Sequence, residues 1–459
     1  MTKSAFSFWN KLLGWFAFLV ALVTYILTVE PTASFWGAGE YIATSAKLQV
    51  GHPPGAPFYQ IFGAFFSMFA SDESQIAYMV NLMSGVASAF AILFMFWSIT
   101  LLLKKLTKTI DAKGTSSDFA ILASSLVGAL AFTFSDSFWF SAVEAEVYAM
   151  AACIMAAMFY TGLLWERDMH KPRGNRWLIL ICLIVGLSFG VHFMALLTIP
   201  AIGFLYYFKN FKKITIKNFV IANFVVVGIL LFIFKLLLPY SLTFFAKMEV
   251  FFVNSIGLPF NSGTVIAGLL VIAAFYFGLK YTRRKNYIHI NTVLLCILFV
   301  FIGFSSWIML PIRANAGTVI NENNPSSAQQ LLAYYNRDQY GETHLFYGPQ
   351  FTELFAGLDP DNPYVDDNAI YEKDEEKQEY VIINDYKNAK QNSDASHKTF
   401  LPRMWSTQHA ANYMMFTGPL EFSIKPEYRG EQELGSIIET FRADYRKGEV
   451  SSDGYISFL

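Results

Sequence analysis

Long apolar stretches alternate with short charged ones over the first two thirds of the chain. A helix needs about 20 apolar residues to cross roughly 30 Å of hydrocarbon. On that measure the pattern predicts nine spans, at about 10–29, 76–103, 119–134, 145–165, 177–191, 192–208, 218–239, 263–279 and 288–310. The run from Trp177 to Phe208 is too long for one helix and is expected to break near "GLSFGVHF" into two short ones. Residues 55–70, "GAPFYQIFGAFFSMFA", are apolar but short, which predicts an interfacial or re-entrant helix. Beyond residue 311 the pattern turns polar, with the acidic stretch "DPDNPYVDDNAIYEKDEEKQEY" and no further span. "LLAYYNRDQYG" (331–341) reads as an amphipathic helix against the membrane face, with Tyr334, Tyr335 and Tyr340 at the interface. The predicted architecture is an all-α polytopic membrane protein. A transmembrane domain over 1–310 carries its site on the outer loop 30–75, and an extracytoplasmic region over 311–459 is expected to continue beyond this chain.

Charge distribution sets the orientation. "KKLTK" (104–108), "ERDMHKPRGNR" (166–176), "KNFKK" (209–213) and "KYTRRK" (280–285) all fall on one side, together with Lys3 and Lys11. By the positive-inside rule that side is the cytoplasm. The opposite side receives 30–75, the "FSDSFWFSAVEAE" turn, a loop over 240–262 and everything after Leu310. Composition agrees with a membrane protein: 54% hydrophobic, 17% aromatic and 15% charged, against about 25% charged in soluble domains. The net charge of −1 offers nothing for nucleic acid. Cys153, Cys182 and Cys296 all fall inside apolar runs, as core residues rather than a disulfide or metal framework. No small-residue cleavage site follows the first apolar run, so it reads as a retained helix.

Four polar clusters converge on the outer rim. The first holds Glu30, Glu40, Lys47 and His52; the second holds Asp136, Glu144 and Glu146. His192 sits in "GLSFGVHF", and Arg313 and Glu322 lie just past the last span. Each has a plain structural use: Glu30 ends a helix in the headgroup region, Glu144 or Glu146 answers a helix dipole, His52 caps a stiff corner, His192 is a core histidine and Arg313 anchors at the interface. Together on one rim they point to a site, because charges at membrane depth are costly and face interior cavities. Such a set suits sugar transfer from a polyprenyl-phosphate donor to a protein hydroxyl. The leaving group is already a phosphate, so one carboxylate base is enough, while Arg, Lys or His holds the phosphate. The proposed base is Glu40, with His52, Lys47 or Arg313 near the phosphate. Several carboxylates also leave room for a divalent metal, although no ligand spacing is diagnostic.

"EPTASFWGAGEYIATSAKLQVGHPPGAP", "WFSAVEAEVYA" and "GLSFGVH" resemble the GT-C membrane glycosyltransferases. The resemblance is to a bacterial, Bacteroidetes-type family related to the animal transmembrane protein O-mannosyltransferase. "PIRANAGTVINENNPSSAQQLLAYYNRDQYG" and "LPRMWS" also look like that branch. The resemblance implies a GT-C bundle in the bacterial inner membrane, with a cytoplasmic N-terminus and a periplasmic active site and C-terminal region. It also implies a lipid-linked sugar donor, exported protein acceptors, inversion at the anomeric carbon and a carboxylate of the first outer loop near the reaction. By position, Glu40 matches the glutamate of the family's "GE", His52 the histidine of its "HPPG" and Glu146 the glutamate of its "AEVY".

One position departs from the pattern: Gly37 stands where the family usually carries an aspartate. Three readings stay open. Glu40 does the work, or Glu30 folds back to replace the aspartate, or transfer is lost and a lipid-sugar-binding or scaffolding subunit of a membrane complex remains. Glu30 and Glu40 would be about 15 Å apart on a helix, so they meet only if the loop doubles back. A secondary transporter ranks last, because the acids sit at one rim and no repeat is visible.

Overall fold

The structure is a computed structural model that describes residues 2–109, 115–340, 344, 346–355 and 358–417. The chain is an all-α polytopic membrane protein, and among the described residues its strands lie in the C-terminal region. It divides into two compact units, Met1–Gln339 and Tyr340–Leu459. Eight described helices are long and apolar enough to cross a membrane, and Asn175–Ser188 is a shorter apolar helix. Together they occupy the nine expected places.

The first unit opens with α1 (Lys3–Thr28), then two short helices, α2 (Ala38–Ala46) and α3 (Pro57–Ser67), on what the sequence predicts as an outer loop. Helix α4 (Ile76–Thr109) packs along α1, and α5 (Thr115–Thr133) lies against both. Helix α6 (Asp136–Ala142) fills the turn before α7 (Val147–Asp168), which packs on α4 and on α8 (Asn175–Ser188). After α8 the chain tightens through the 3₁₀ turn Phe193–Leu197 into α9 (Thr198–Asn210), so the break at "GLSFGVHF" is real. Helices α10 (Ile216–Leu231), α11 (Leu238–Val250), α12 (Ser262–Arg284), α13 (Ile288–Phe304) and α14 (Met309–Asn315) follow. The largest core cluster lies between α8 and α13, where Val185 and Phe189 meet Val300, Phe304 and Trp307.

Two expectations need correction. The loop predicted over 240–262 is mostly helix: the apolar helix runs from Ile216 to Ser255 through π turns at Phe232–Leu237 and Phe251–Ser255. The first π turn lies just before Pro239, which lacks an N–H and crowds the preceding turn. Polar residues such as Lys247 and Glu249 lower the hydropathy there, but nothing stops the helix before Gly257 and Pro259. The second correction concerns "LLAYYNRDQYG". Helix α15 (Ala328–Asn336) does form there, begun by a capping box between Ser327 and Gln330. However, Tyr334 and Tyr335 are buried in the core rather than set at the interface, while Tyr340 is exposed. Their hydroxyls find backbone carbonyls, Gly51 for Tyr334 and Phe234 for Tyr335, which is how a buried tyrosine is accommodated. Residues 311–339 therefore belong to the first unit, which runs past the expected boundary at 310.

In the second unit three antiparallel pairs are described: β1 (Tyr347–Pro349) with β6 (Lys398–Phe400), β2 (Tyr364–Val365) with β5 (Lys390–Gln391), and β3 (Ile370–Asp374) with β4 (Glu379–Asn384). Helix α16 (Ala410–Thr417) packs Ala410 and Met414 against Phe351.

Candidate functional site

The start of α1 and the ends of α4 and α7 share one end of the bundle. The end of α1 and the starts of α4 and α7 share the other, and the candidate residues gather there. Helix α2 carries Glu40 in its first turn, where a carboxylate suits the helix dipole. Five residues after α2 ends, the corner "GHPPG" begins, with a cis Pro53–Pro54 bond and Gly55 at φ +74°. The corner turns His52 back onto Glu40. The His52 amide donates to Glu40 Oε1 at 2.7 Å, and His52 Nδ1 lies 2.9 Å from both carboxylate oxygens. With Nδ1 donating, the imidazole Nε2 is left for another partner. The pair is reachable: 37% of the His52 side chain and 28% of that of Glu40 are exposed. Gly51 is required by this closure, since a Cβ there would stand 2.6 Å from Glu40 Oε1.

The fourth sequence cluster clamps this loop. Val50 exchanges backbone bonds with Ile320 and Glu322, which runs the 320–322 segment alongside it. Arg313 donates to the carbonyls of Leu48 and Lys47, at 2.5 and 3.1 Å. Tyr334 donates to the Gly51 carbonyl at 2.5 Å and approaches that of His52 at 3.3 Å. Gly55 lies under the same tyrosine, where a Cβ would be 2.6 Å from its hydroxyl. Opposite, the amides of Phe58 and Tyr59 at the start of α3 both donate to Gly190, tying α3 to the turn after α8.

The second cluster faces α2. Glu146, buried at the start of α7, has its Oε1 3.1 Å from where a Cβ on Gly37 would stand. The carboxylate therefore takes up the space beside Gly37. Glu144 is buried too and accepts from the Ser34 hydroxyl at 2.7 Å.

Electrostatics separates the carboxylates. Burial opposes ionisation of Glu40, but the imidazole and amide bonds from His52 outweigh it and hold the group below the usual carboxylate range. The same bond raises His52 above the usual imidazole range, against burial, with help from the charges of Glu40 and Glu322. Glu146 moves the other way: burial and then the charge of Glu144 push it up, opposed by the Val147 and Gly37 amides and by His52. Glu322 is also raised, by burial and by Glu40.

The structure thus links Glu40, His52 and Glu322 electrostatically on one side, and Glu146 with Glu144 on the other, with His52 also acting on Glu146. It does not bring in Glu30, whose carboxylate accepts from Thr32 and whose carbonyl is held by Asn81. Lys47 is exposed at the rim. Arg313 is a loop clamp whose Nε and one Nη serve carbonyls. His192 caps its own turn, accepting from the Met194 amide at 3.1 Å and resting on Tyr148. Asp136 begins α6. Sequence reasoning missed Tyr334 as a site residue; only its place in an apolar stripe of α15 signalled burial. Among the described residues, no group of three His, Cys, Asp or Glu side chains is placed to hold a metal ion.

Residues 37–215 match the family described as Protein O-mannosyl-transferase TMEM260 N-terminal domain. That segment contains Glu40, His52, Glu144, Glu146 and His192. Residues 341–441 match a family of unknown function, DUF8416. The protein O-mannosyl-transferase tmem260 of Dictyostelium discoideum is 25% identical over 151 residues. That match covers 33% of this chain and 16% of the relative's length. No solved structure matches the chain.

Proposed function

We propose that this chain is an integral membrane glycosyltransferase of GT-C type that moves a sugar from a polyprenyl-phosphate donor to serine or threonine hydroxyls of exported proteins. The observation that carries the reading is the Glu40–His52 pair beside Glu146, whose proton affinity is raised, all within the segment similar to the O-mannosyl-transferase domain. In this reading the membrane is a bacterial inner membrane and the rim bearing Glu40 is periplasmic.

The chemistry follows from the separated proton affinities. Glu40 raises the proton affinity of His52, and in its protonated form the imidazole Nε2 holds the donor phosphate, since Arg313 is engaged by the loop. The acceptor hydroxyl oxygen bonds to the anomeric carbon from the opposite face. The bond from that carbon to the phosphate oxygen breaks, and the phosphate leaves with the electron pair. The hydroxyl proton passes to a carboxylate. Glu146 is the better base of the two, because its proton affinity lies nearer neutrality, whereas both Glu40 oxygens already face His52. The role given to Glu40 from sequence thus becomes one of positioning and charging His52. An apolar cavity of about 1080 Å3 among α11, α12 and α13, bordered by Phe275, Phe301, Trp307 and Leu331, supports an isoprenoid-bearing donor.

Gly37 favours a second reading, a lipid-sugar-binding subunit without transfer. Against it, Glu146 already supplies a carboxylate at that corner. Purified protein given polyprenyl-phosphate mannose and a serine/threonine peptide decides between them. Mannosyl-peptide formed by wild type and lost with Glu146→Gln supports transfer. Donor binding by wild type without any product supports the second reading.

A further inference from the structure

At the end of the bundle away from Glu40 there is a second cavity, a polar recess of about 180 Å3 bordered by the start of α1 and the ends of α4 and α7. That is several times the roughly 30 Å3 a water molecule takes in the liquid. Its wall carries three cations, Lys3, Lys104 and Arg167, with Ser7, Asn10 and Thr100 between them. Lys104 packs its ammonium 3.4 Å from the centre of the Phe6 ring, which covers one side of the charge. No carboxylate bonds Lys104 among the described residues, although Asp118 is close enough for its charge to act on it.

Nearby carboxylates leave positive charge in excess. Asp168 is shared by Arg167, at 2.8 and 3.0 Å, and Lys171, at 2.7 Å, and it accepts from Trp177 as well. Glu166 is likewise shared by Lys105 and Lys209. Asn10 lines the cavity as well, and its Oδ1 is buried without a hydrogen-bond partner. A ligand that satisfies the wall is therefore an anion that also carries a donor.

We propose that this cavity binds a phosphate bearing a hydroxylated substituent, as in a phosphatidylglycerol headgroup. The phosphate lies between Lys3, Lys104 and Arg167, and a headgroup hydroxyl donates to Asn10. Basic recesses between membrane helices recognise lipid phosphates by the same physics: two or three converging cations in a place partly shielded from water. This goes beyond the transfer reaction and does not depend on it.

Native mass spectrometry of the full chain, released from detergent with phosphatidylglycerol or phosphatidylcholine, tests the proposal. Lys3→Gln with Lys104→Gln empties the cavity of two cations. Arg284→Gln with Lys285→Gln, exposed at the same end, is the control for charge. Wild type and control should retain phosphatidylglycerol over phosphatidylcholine by about tenfold, and the cavity variant should lose that preference. Thermal unfolding with inorganic phosphate identifies the source: stabilisation of wild type but not of the cavity variant, matching that by lipid, assigns a free phosphate. Equal lipid retention in wild type and cavity variant, or equal loss in cavity variant and control, overturns the site.

Discussion

The Glu40 carboxylate accepts from both the amide and the imidazole of His52, twelve residues later in the chain. A helix start and a proline corner are joined there by one charged residue pair. The pH behaviour of donor binding follows from it. His52 holds its proton above the usual imidazole value of about 6.5, so phosphate binding is strong below that raised value and declines as pH rises through it. Glu40→Gln removes the main cause of the rise. The declining limb of kcat/KM should therefore move to lower pH, measured as a pH profile with purified protein.

Glu146 should behave differently. Glu146→Gln removes the group with raised proton affinity but leaves the Glu40–His52 pair intact. Turnover should fall at least about a hundredfold while donor affinity changes little, as read from single-turnover rates and donor binding. Gly37→Asp should also impair turnover by setting a carboxylate against Glu146, and Glu146→Gln should relieve that repulsion in the double variant.

Two neighbouring glycines should give opposite results. Gly51→Ala pushes a methyl onto Glu40 Oε1 and displaces the pair, which should lower kcat/KM by about a hundredfold. Gly39→Ala meets nothing within 4 Å. On a helix it should stabilise by up to about 1 kcal/mol and leave activity unchanged. Paired thermal and kinetic measurements check both.

Tyr334 links α15 to the corner. Tyr334→Phe keeps the ring and removes the hydroxyl bond to Gly51, at a cost of about 1 kcal/mol. If the loss falls on the corner, KM for the donor rises more than kcat falls. A fall in melting temperature with unchanged kinetics would limit the hydroxyl to holding the fold.

How much of this was legible in the sequence depended on the interaction. Spans were legible because hydrophobic length is a local property, and so was the gathering of acids at one rim. The pairing of Glu40 with His52 was not, because it needs the fold of the corner. The charge of Arg313 is visible in sequence, whereas its carbonyl partners at Lys47 and Leu48 are not. The helix through 240–255 was hidden by Lys247 and Glu249, which depress hydropathy without breaking a helix. Glu249 is in fact buried, accepting from the amides of Asn261 and Thr264 at the start of α12. The short strands after residue 346 were hidden in polar sequence with no clear alternation.

The most direct measurement replaces the chromosomal gene with Glu40→Gln and compares exported glycoproteins by intact mass with wild type and a deletion strain, at matched protein levels. The account predicts that glycan mass is lost in the deletion and reduced, not abolished, in Glu40→Gln, where His52 has lost the main cause of its raised proton affinity. Glycan at the wild-type level in Glu40→Gln but lost in the deletion would remove the Glu40–His52 pair from the mechanism. Unchanged glycan in the deletion would contradict the transferase itself.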